Sequence, residues 1–245
     1  MATPMRDGGG TVVLVAHGSR DVRFADTARR VRDAVAVAMP GVRVEVSFLD
    51  LNAPLVGDVL AGVSGDVTVV PLLFGDGYHS KVDLPATINA VRRKHPRLRA
   101  VQTPVIGSRS PVPALCDRLR EAGLQQGAGV LLYAVGSSDA GSDDSIRARG
   151  VELSSTLQMP VQTVFATRLG SDGRPVADAV HALRNAGATS IAASPLFLSA
   201  GLLTERVERW LDVYAPGSVV AGPLGAHPAI VDAAAALHRA AFAAV

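Results

Sequence analysis

The chain alternates between two hydrophobic patterns. Short runs that are apolar throughout, such as TVVLVA at 11–16 and VTVVPLLF at 67–74, have the length and valine content of strands buried on both faces. Between them lie longer stretches with apolar residues at helical spacing. Phe24, Ala28, Val31 and Val35 recur along 21–39, and Pro40-Gly41 closes that helix. The same reading places strands at 42–49 and near 99–103, and helices from Pro54 to about 62, from Pro85 to before Pro96, and near 112–122. In the second half it places strands at 129–134, 161–166, 189–194 and 218–221, with helices near 143–157, 175–186, 202–212 and 228–243. Strand–helix alternation of this kind predicts α/β architecture with parallel sheets covered by helices on both faces.

The second half repeats the first. LVAHGSRD at 14–21 matches LYAVGSSD at 132–139, and the Pro-Leu-Phe core after the third strand recurs, aligning Pro71 with Pro195 and Gly77 with Gly201. The pattern therefore predicts two tandem doubly wound, flavodoxin-like domains, each with a parallel four-stranded sheet in the order 2-1-3-4. Residues 11–124 form the first and 125–245 the second, joined by GLQQGA at 123–128, while 1–10 form a flexible N-terminus. The repeat is most informative where it fails. His17 answers to Val135 and His79 to Leu203. A histidine that the fold requires would be required twice, so the chemistry is expected in the N-terminal half.

Composition narrows the picture. Of 245 residues, 48% are hydrophobic and 19% charged, enough for a sizeable core. A net charge of +2 and 4% aromatics are far from a nucleic-acid-binding profile. No stretch approaches the roughly 20 apolar residues of a membrane helix, and MATPMRDGGG has no apolar signal core, so a cytoplasmic protein is expected. The single cysteine, Cys116, is read as a small buried hydrophobe.

Ligands of doubly wound sheets bind beyond the carboxyl ends of the strands. His17 lies past the first strand, Asp50 past the second and His79 past the third, on neighbouring strands about 4.8 Å apart. Two imidazoles and a carboxylate suit a divalent first-row metal, and they equally suit proton abstraction near neutral pH. Asp50, followed by Asn52-Ala-Pro, is also a good helix cap. The GSRD turn lacks the glycines of a dinucleotide fingerprint and the Gly-Lys-Ser/Thr ending of a P-loop.

VLVAHGSRD, FLDLNAP and VVPLLFGDGYHSKVDLP, spread over 11–90, resemble the three signature segments of the sirohydrochlorin chelatases, relatives of the class II chelatases. The second half resembles the degenerate repeat of the long, two-domain form. The resemblance implies chelatase-like domains and insertion of Fe2+ or Co2+ into sirohydrochlorin, for sirohaem or cobalamin synthesis. It implies no organic cofactor, and the divalent metal is a substrate. By position, His17 and His79 match the paired active-site histidines, and Asp50 stands where a glutamate is expected. Ser19, Arg20, Arg23 and Lys81 are then expected to meet a macrocycle rimmed with carboxylates, with the second domain as the opposite wall. A metal or tetrapyrrole carrier and a chelatase for another porphyrin remain as alternatives, and the chain is expected as monomer or homodimer.

Overall fold

The structure, a computed structural model, describes residues 9–243. The first eight-element run is β1 (Gly9–Ala16), α1 (Val22–Ala38), β2 (Val42–Phe48), α2 (Val56–Ala61), β3 (Gly65–Pro71), α3 (Leu84–Lys94), β4 (Leu98–Gln102) and α4 (Val112–Glu121). The second is β5 (Ala128–Ala134), α5 (Ala140–Leu157), β6 (Val161–Phe165), α6 (Arg174–Asn185), β7 (Ser190–Pro195), α7 (Leu202–Tyr214), β8 (Val219–Val220) and α8 (Pro228–Ala243). Both sheets are parallel, in the orders β2-β1-β3-β4 and β6-β5-β7-β8. The predicted topology therefore holds in both copies. β1 begins at Gly9, which pairs with Val42, so the strand reaches back into the segment expected to be flexible; residues 1–8 lie outside the described residues.

β1 and β5 are the inner strands, and their sequences say why. Val12 through Ala16 and Val130 through Tyr133 are wholly buried, because helices cover both faces of a parallel sheet. On one face of the first sheet Val13, Val15, Val67 and Val69 pack with Leu60 of α2 and with Leu84 and Ile88 of α3. The second sheet repeats this with Leu131, Tyr133, Ile191 and Ala193 against Val180 and Leu183 of α6 and Val207 and Leu211 of α7. β3 stops at Pro71, short of the expected residue 74. Leu72 still donates to Val15 O, but Leu73 turns away and its carbonyl accepts Gly107 N–H. Cys116 is buried, and desolvation pushes its thiol pKa up.

The compact units differ from the expected division at 124/125. One comprises the chain to Ser108 together with the chain from Val231 onward; the other is Arg109–Ile230. Helix α4 is thus grouped with the second sheet, and most of α8 with the first. Within the second unit, Arg118 of α4 donates to Leu224 O, and Ser110, just before α4, donates to Glu152 of α5. Amphipathic periodicity tells which face of a helix is buried but not which sheet buries it, so the exchange is invisible in the pattern.

In the first unit α8 docks through a buried polar contact: His238 Nδ1 lies 3.1 Å from Thr68 Oγ1 on β3. Desolvation, helped by the positive charge of Arg239, lowers the His238 pKa from the ordinary 6.5. Unfolding restores the ordinary value, so below it the unfolded chain binds the proton more readily and stability falls. The His238 contribution is full above about 6.5 and is lost as the pH drops toward the lowered folded value. Thermal melting between pH 7.5 and 5 should show this decline, and His238→Gln should flatten it; an unchanged slope in the variant would exclude His238 as the cause.

Candidate functional site

The chain leaves β1 at Ala16, and His17 is the first residue beyond the strand. Gly18 follows with φ 112°, a region closed to most side chains, and the turn is finished by Ser19 and Asp21. The Ser19 hydroxyl accepts Asp21 N–H, and Asp21 caps α1 by accepting Arg23 N–H. The β2–α2 loop is laced to this turn. Asp50 N–H donates to His17 O at 3.1 Å, and Ser19 N–H donates to Asn52 Oδ1 at 2.7 Å. The result places Asp50 Oδ1 3.4 Å from His17 Nδ1.

His79 comes from the third strand's loop. After Gly77 the chain winds into a π-helical turn, His79–Asp83, which runs directly into α3. Such turns are rare and are found mostly at functional sites. Ser80 Oγ anchors this one by donating to Asp76 and Gly77 O, and Gln102 Nε2 from β4 donates to Ser80 O. Residues 79 and 83 share a face, and His79 Nδ1 meets Asp83 Oδ2 at 2.7 Å. The two imidazoles then face each other edge to face, with ring centres 4.4 Å apart, planes at 85° and Nε2 to Nε2 at 3.0 Å.

The outcome is a row, Asp50, His17, His79, Asp83, tighter at the Asp83 end, 2.7 Å, than at the Asp50 end, 3.4 Å. A carboxylate facing each Nδ1 favours the tautomer that carries its proton there, which leaves a lone pair on each Nε2. Two lone pairs converging at 3.0 Å repel unless a cation lies between them. The cation can be a proton or a metal ion. Two ligands at about 2.1 Å that subtend a right angle at a metal are themselves about 3.0 Å apart, so the spacing fits a pair of neighbouring coordination positions. Among the described residues no group of three or more His, Cys, Asp or Glu side chains converges on one point. A divalent ion held here keeps most of its coordination sphere open. Both histidines are half-exposed, at 41% and 45% of their side chains, so the open positions face solvent.

His17, Asp50 and His79 thus come together at one sheet edge. Asp83 was not among the candidates; the signal for it was the His-x-x-x-Asp spacing at 79–83 in a stretch read as loop. The other expected binding residues are differently placed. Ser19 serves the turn itself. Arg23 folds back on Asp21, with Nε and Nη2 on the carboxylate, and this contact pulls the Asp21 pKa down. Arg20 and Lys81 are exposed beside the two histidines in sequence.

The second copy keeps the scaffold and drops the row. Gly136 has φ 90°, Asp139 caps α5, and Thr167 N–H donates to Val135 O just as Asp50 does to His17 O. Position by position, His17, Asp50, His79 and Asp83 answer to Val135, Thr167, Leu203 and Val207. Every titratable member is replaced while the turn survives.

A family model described as CbiX matches residues 11–122 and again 129–241. The sirohydrochlorin cobaltochelatase of Priestia megaterium is 27% identical over 220 residues, covering 83% of this chain and 69% of that protein. The sirohydrochlorin ferrochelatase of Bacillus subtilis (strain 168) is 26% identical over 234 residues, covering 91% and 88%. Among solved structures, SirB from Bacillus subtilis with Fe3+ superposes with a TM-score of 0.78 at 23% identity, covering 94% of each chain. SirB from Bacillus subtilis subspecies spizizenii in complex with cobalt gives 0.77 at 21% identity, again over 94% of each chain. These likenesses share the fold. With both sequence repeats matched by the same family model, nearly end to end, the chain belongs to the CbiX family.

Proposed function

We propose that the protein is a sirohydrochlorin chelatase, which inserts Fe2+ or Co2+ into sirohydrochlorin without ATP. The observation that carries this reading is the facing pair of Nε2 atoms, each backed by a carboxylate at Nδ1. Insertion exchanges one divalent cation for two pyrrole protons, and the row can hold the cation or the first of those protons. His17 and His79 present the ion at Nε2, with Asp50 and Asp83 offsetting its charge. As the ring nitrogens take the ion, the vacated Nε2 pair accepts one pyrrole proton, held between the two imidazoles. The other passes to solvent water at the half-exposed site, and the two carboxylates stabilise the imidazolium charge. A site with two protein ligands suits a cargo ion better than a resident one, since the ring must reach the open positions. Arg20 and Lys81, both exposed and near the two histidines in sequence, would meet the carboxylates of the macrocycle rim.

The test is a metallation assay followed by absorbance, with sirohydrochlorin and each metal in turn. The protein is expected to accelerate insertion over the spontaneous rate with at least one of them. A rate equal to the spontaneous one with both metals would overturn the proposal. Asp83→Asn supplies a finer check. It keeps the size of the group facing His79 Nδ1 but removes its charge, so metal insertion should fall about 10- to 100-fold, the usual cost of losing such a partner. An unchanged rate would show that His79 needs no carboxylate behind it.

A further inference from the structure

In the first unit most of the exposed large hydrophobic side chains lie close in sequence to the histidine pair or to Asp50. Val22, Leu51, Leu55, Tyr78 and Val82 all lie within a few residues of His17, Asp50 or His79 in sequence, leaving only Val37 and Val101 elsewhere among the described residues of that unit. Scattered exposed apolar residues need no explanation, but one held in a disfavoured backbone conformation beside polar chemistry does.

Leu51 is the sharpest case. It is 57% exposed, and its φ is 58°. Asn52 N–H donates back to Asp50 O at 2.6 Å, closing a γ-turn of the rare, strained kind around Leu51. The flanking residues are both pinned to the first turn: Asp50 N–H on His17 O, and Asn52 Oδ1 accepting Ser19 N–H. A bulky apolar side chain is therefore held in a disfavoured backbone region and aimed into water, which carries two penalties and no visible gain within the protein. The fold does not demand it. In the second copy the bond from Thr167 N–H to Val135 O is kept, yet the chain passes through the 3-10 turn Ala166–Arg168 without positive φ, and Arg168 stands where Leu51 does.

We infer that Leu51 is a substrate-contacting residue, which packs on the flat apolar face of the tetrapyrrole and holds the ring over the imidazole pair. Tyr78 adds a second apolar surface next to the pair; its ring, 59% exposed, stands edge-on to that of His79 with centres 6.4 Å apart. The strain at Leu51 is released by nothing in the free protein and is offset when the side chain leaves water against the ring. This inference rests on the proposed function and adds to it the residue that recognises the macrocycle rather than the metal.

The test uses Leu51→Gly, which is at ease at positive φ, and Leu51→Met, which keeps the apolar contact. Leu51→Gly should raise KM for sirohydrochlorin, and Kd for the metal-free macrocycle measured by absorbance titration, about tenfold, while KM for the metal stays the same. Its melting temperature should stay level or rise, because glycine relieves the strained turn. Leu51→Met should bind the macrocycle within about threefold of the wild type. Unchanged macrocycle binding in Leu51→Gly, or a lowered melting temperature there, would overturn the inference while leaving the metallation reading intact. A wild-type protein that neither binds nor metallates sirohydrochlorin would overturn both.

Discussion

Replacing either His17 or His79 by alanine should remove nearly all metal insertion and leave the fold standing. The magnitude follows from what each imidazole contributes. A proton acceptor in place is worth about 10²- to 10⁴-fold, and in the proposed mechanism the same group is also half of the metal's protein ligand set. Removing one leaves a single Nε2, which can neither share the ion nor hold a pyrrole proton between two imidazoles. Stability should change by no more than about 0.5 kcal/mol, since both side chains are half-exposed on loops and neither fills the core. The measurement is the initial rate of metallation beside a thermal melt of each variant. Wild-type rates in both variants would end the assignment of this site. Val135→Ala, at the corresponding turn of the second copy, should leave the rate untouched.

Gly18→Ala should be nearly as damaging, by a different route. A methyl group at Gly18 would stand 2.0 Å from the Asp50 carbonyl oxygen and 2.7 Å from its Oδ1, at a φ of 112°. The backbone cannot yield without breaking the lacing that holds Asp50 to the first turn. A loss of about 2–4 kcal/mol is expected, together with most of the insertion activity, as Asp50 is driven away from His17. Gly41→Ala is the matched control. Its φ is 84°, equally left-handed, but nothing lies within 4 Å of the added methyl. It should cost about 1 kcal/mol of strain and leave the rate alone. Denaturant unfolding of both variants, with the metallation assay alongside, separates strain from collision. Equal losses in the two would refute the collision argument.

These two expectations differ in how much of their basis is written in the chain. That His17, Asp50 and His79 meet at one edge is legible from periodicity alone. The unbroken valine run of β1 marks an inner parallel strand, β2 alternates as an edge strand does, and the doubly wound order brings the loops that follow β1, β2 and β3 to the same rim. The role of Gly18 is only half legible. A glycine after the histidine suggests a left-handed turn, but the oxygen that forbids a side chain there belongs to Asp50, on another strand's loop.

Asp83 marks the boundary more sharply. Its spacing from His79 is plain, yet the two share a face only because the chain coils at once after Gly77, and the anchors for that coil are Asp76 and Gln102. Arg23 shows another limit of the sequence. Sequence places it beside the site, and a carboxylate two positions earlier captures it.

By itself the sequence determined the element order, both sheet topologies, the duplication and the lobe that retains its titratable residues. All of these follow from local periodicity and from comparing the chain with itself. The tertiary structure alone decided that the two imidazoles bring their Nε2 atoms to 3.0 Å from each other, that a second carboxylate backs the row, and that α4 and α8 are grouped with the opposite sheets. Those are matters of direction and partner, set by side-chain packing and backbone turns between segments far apart in the chain, and local pattern carries no information about them.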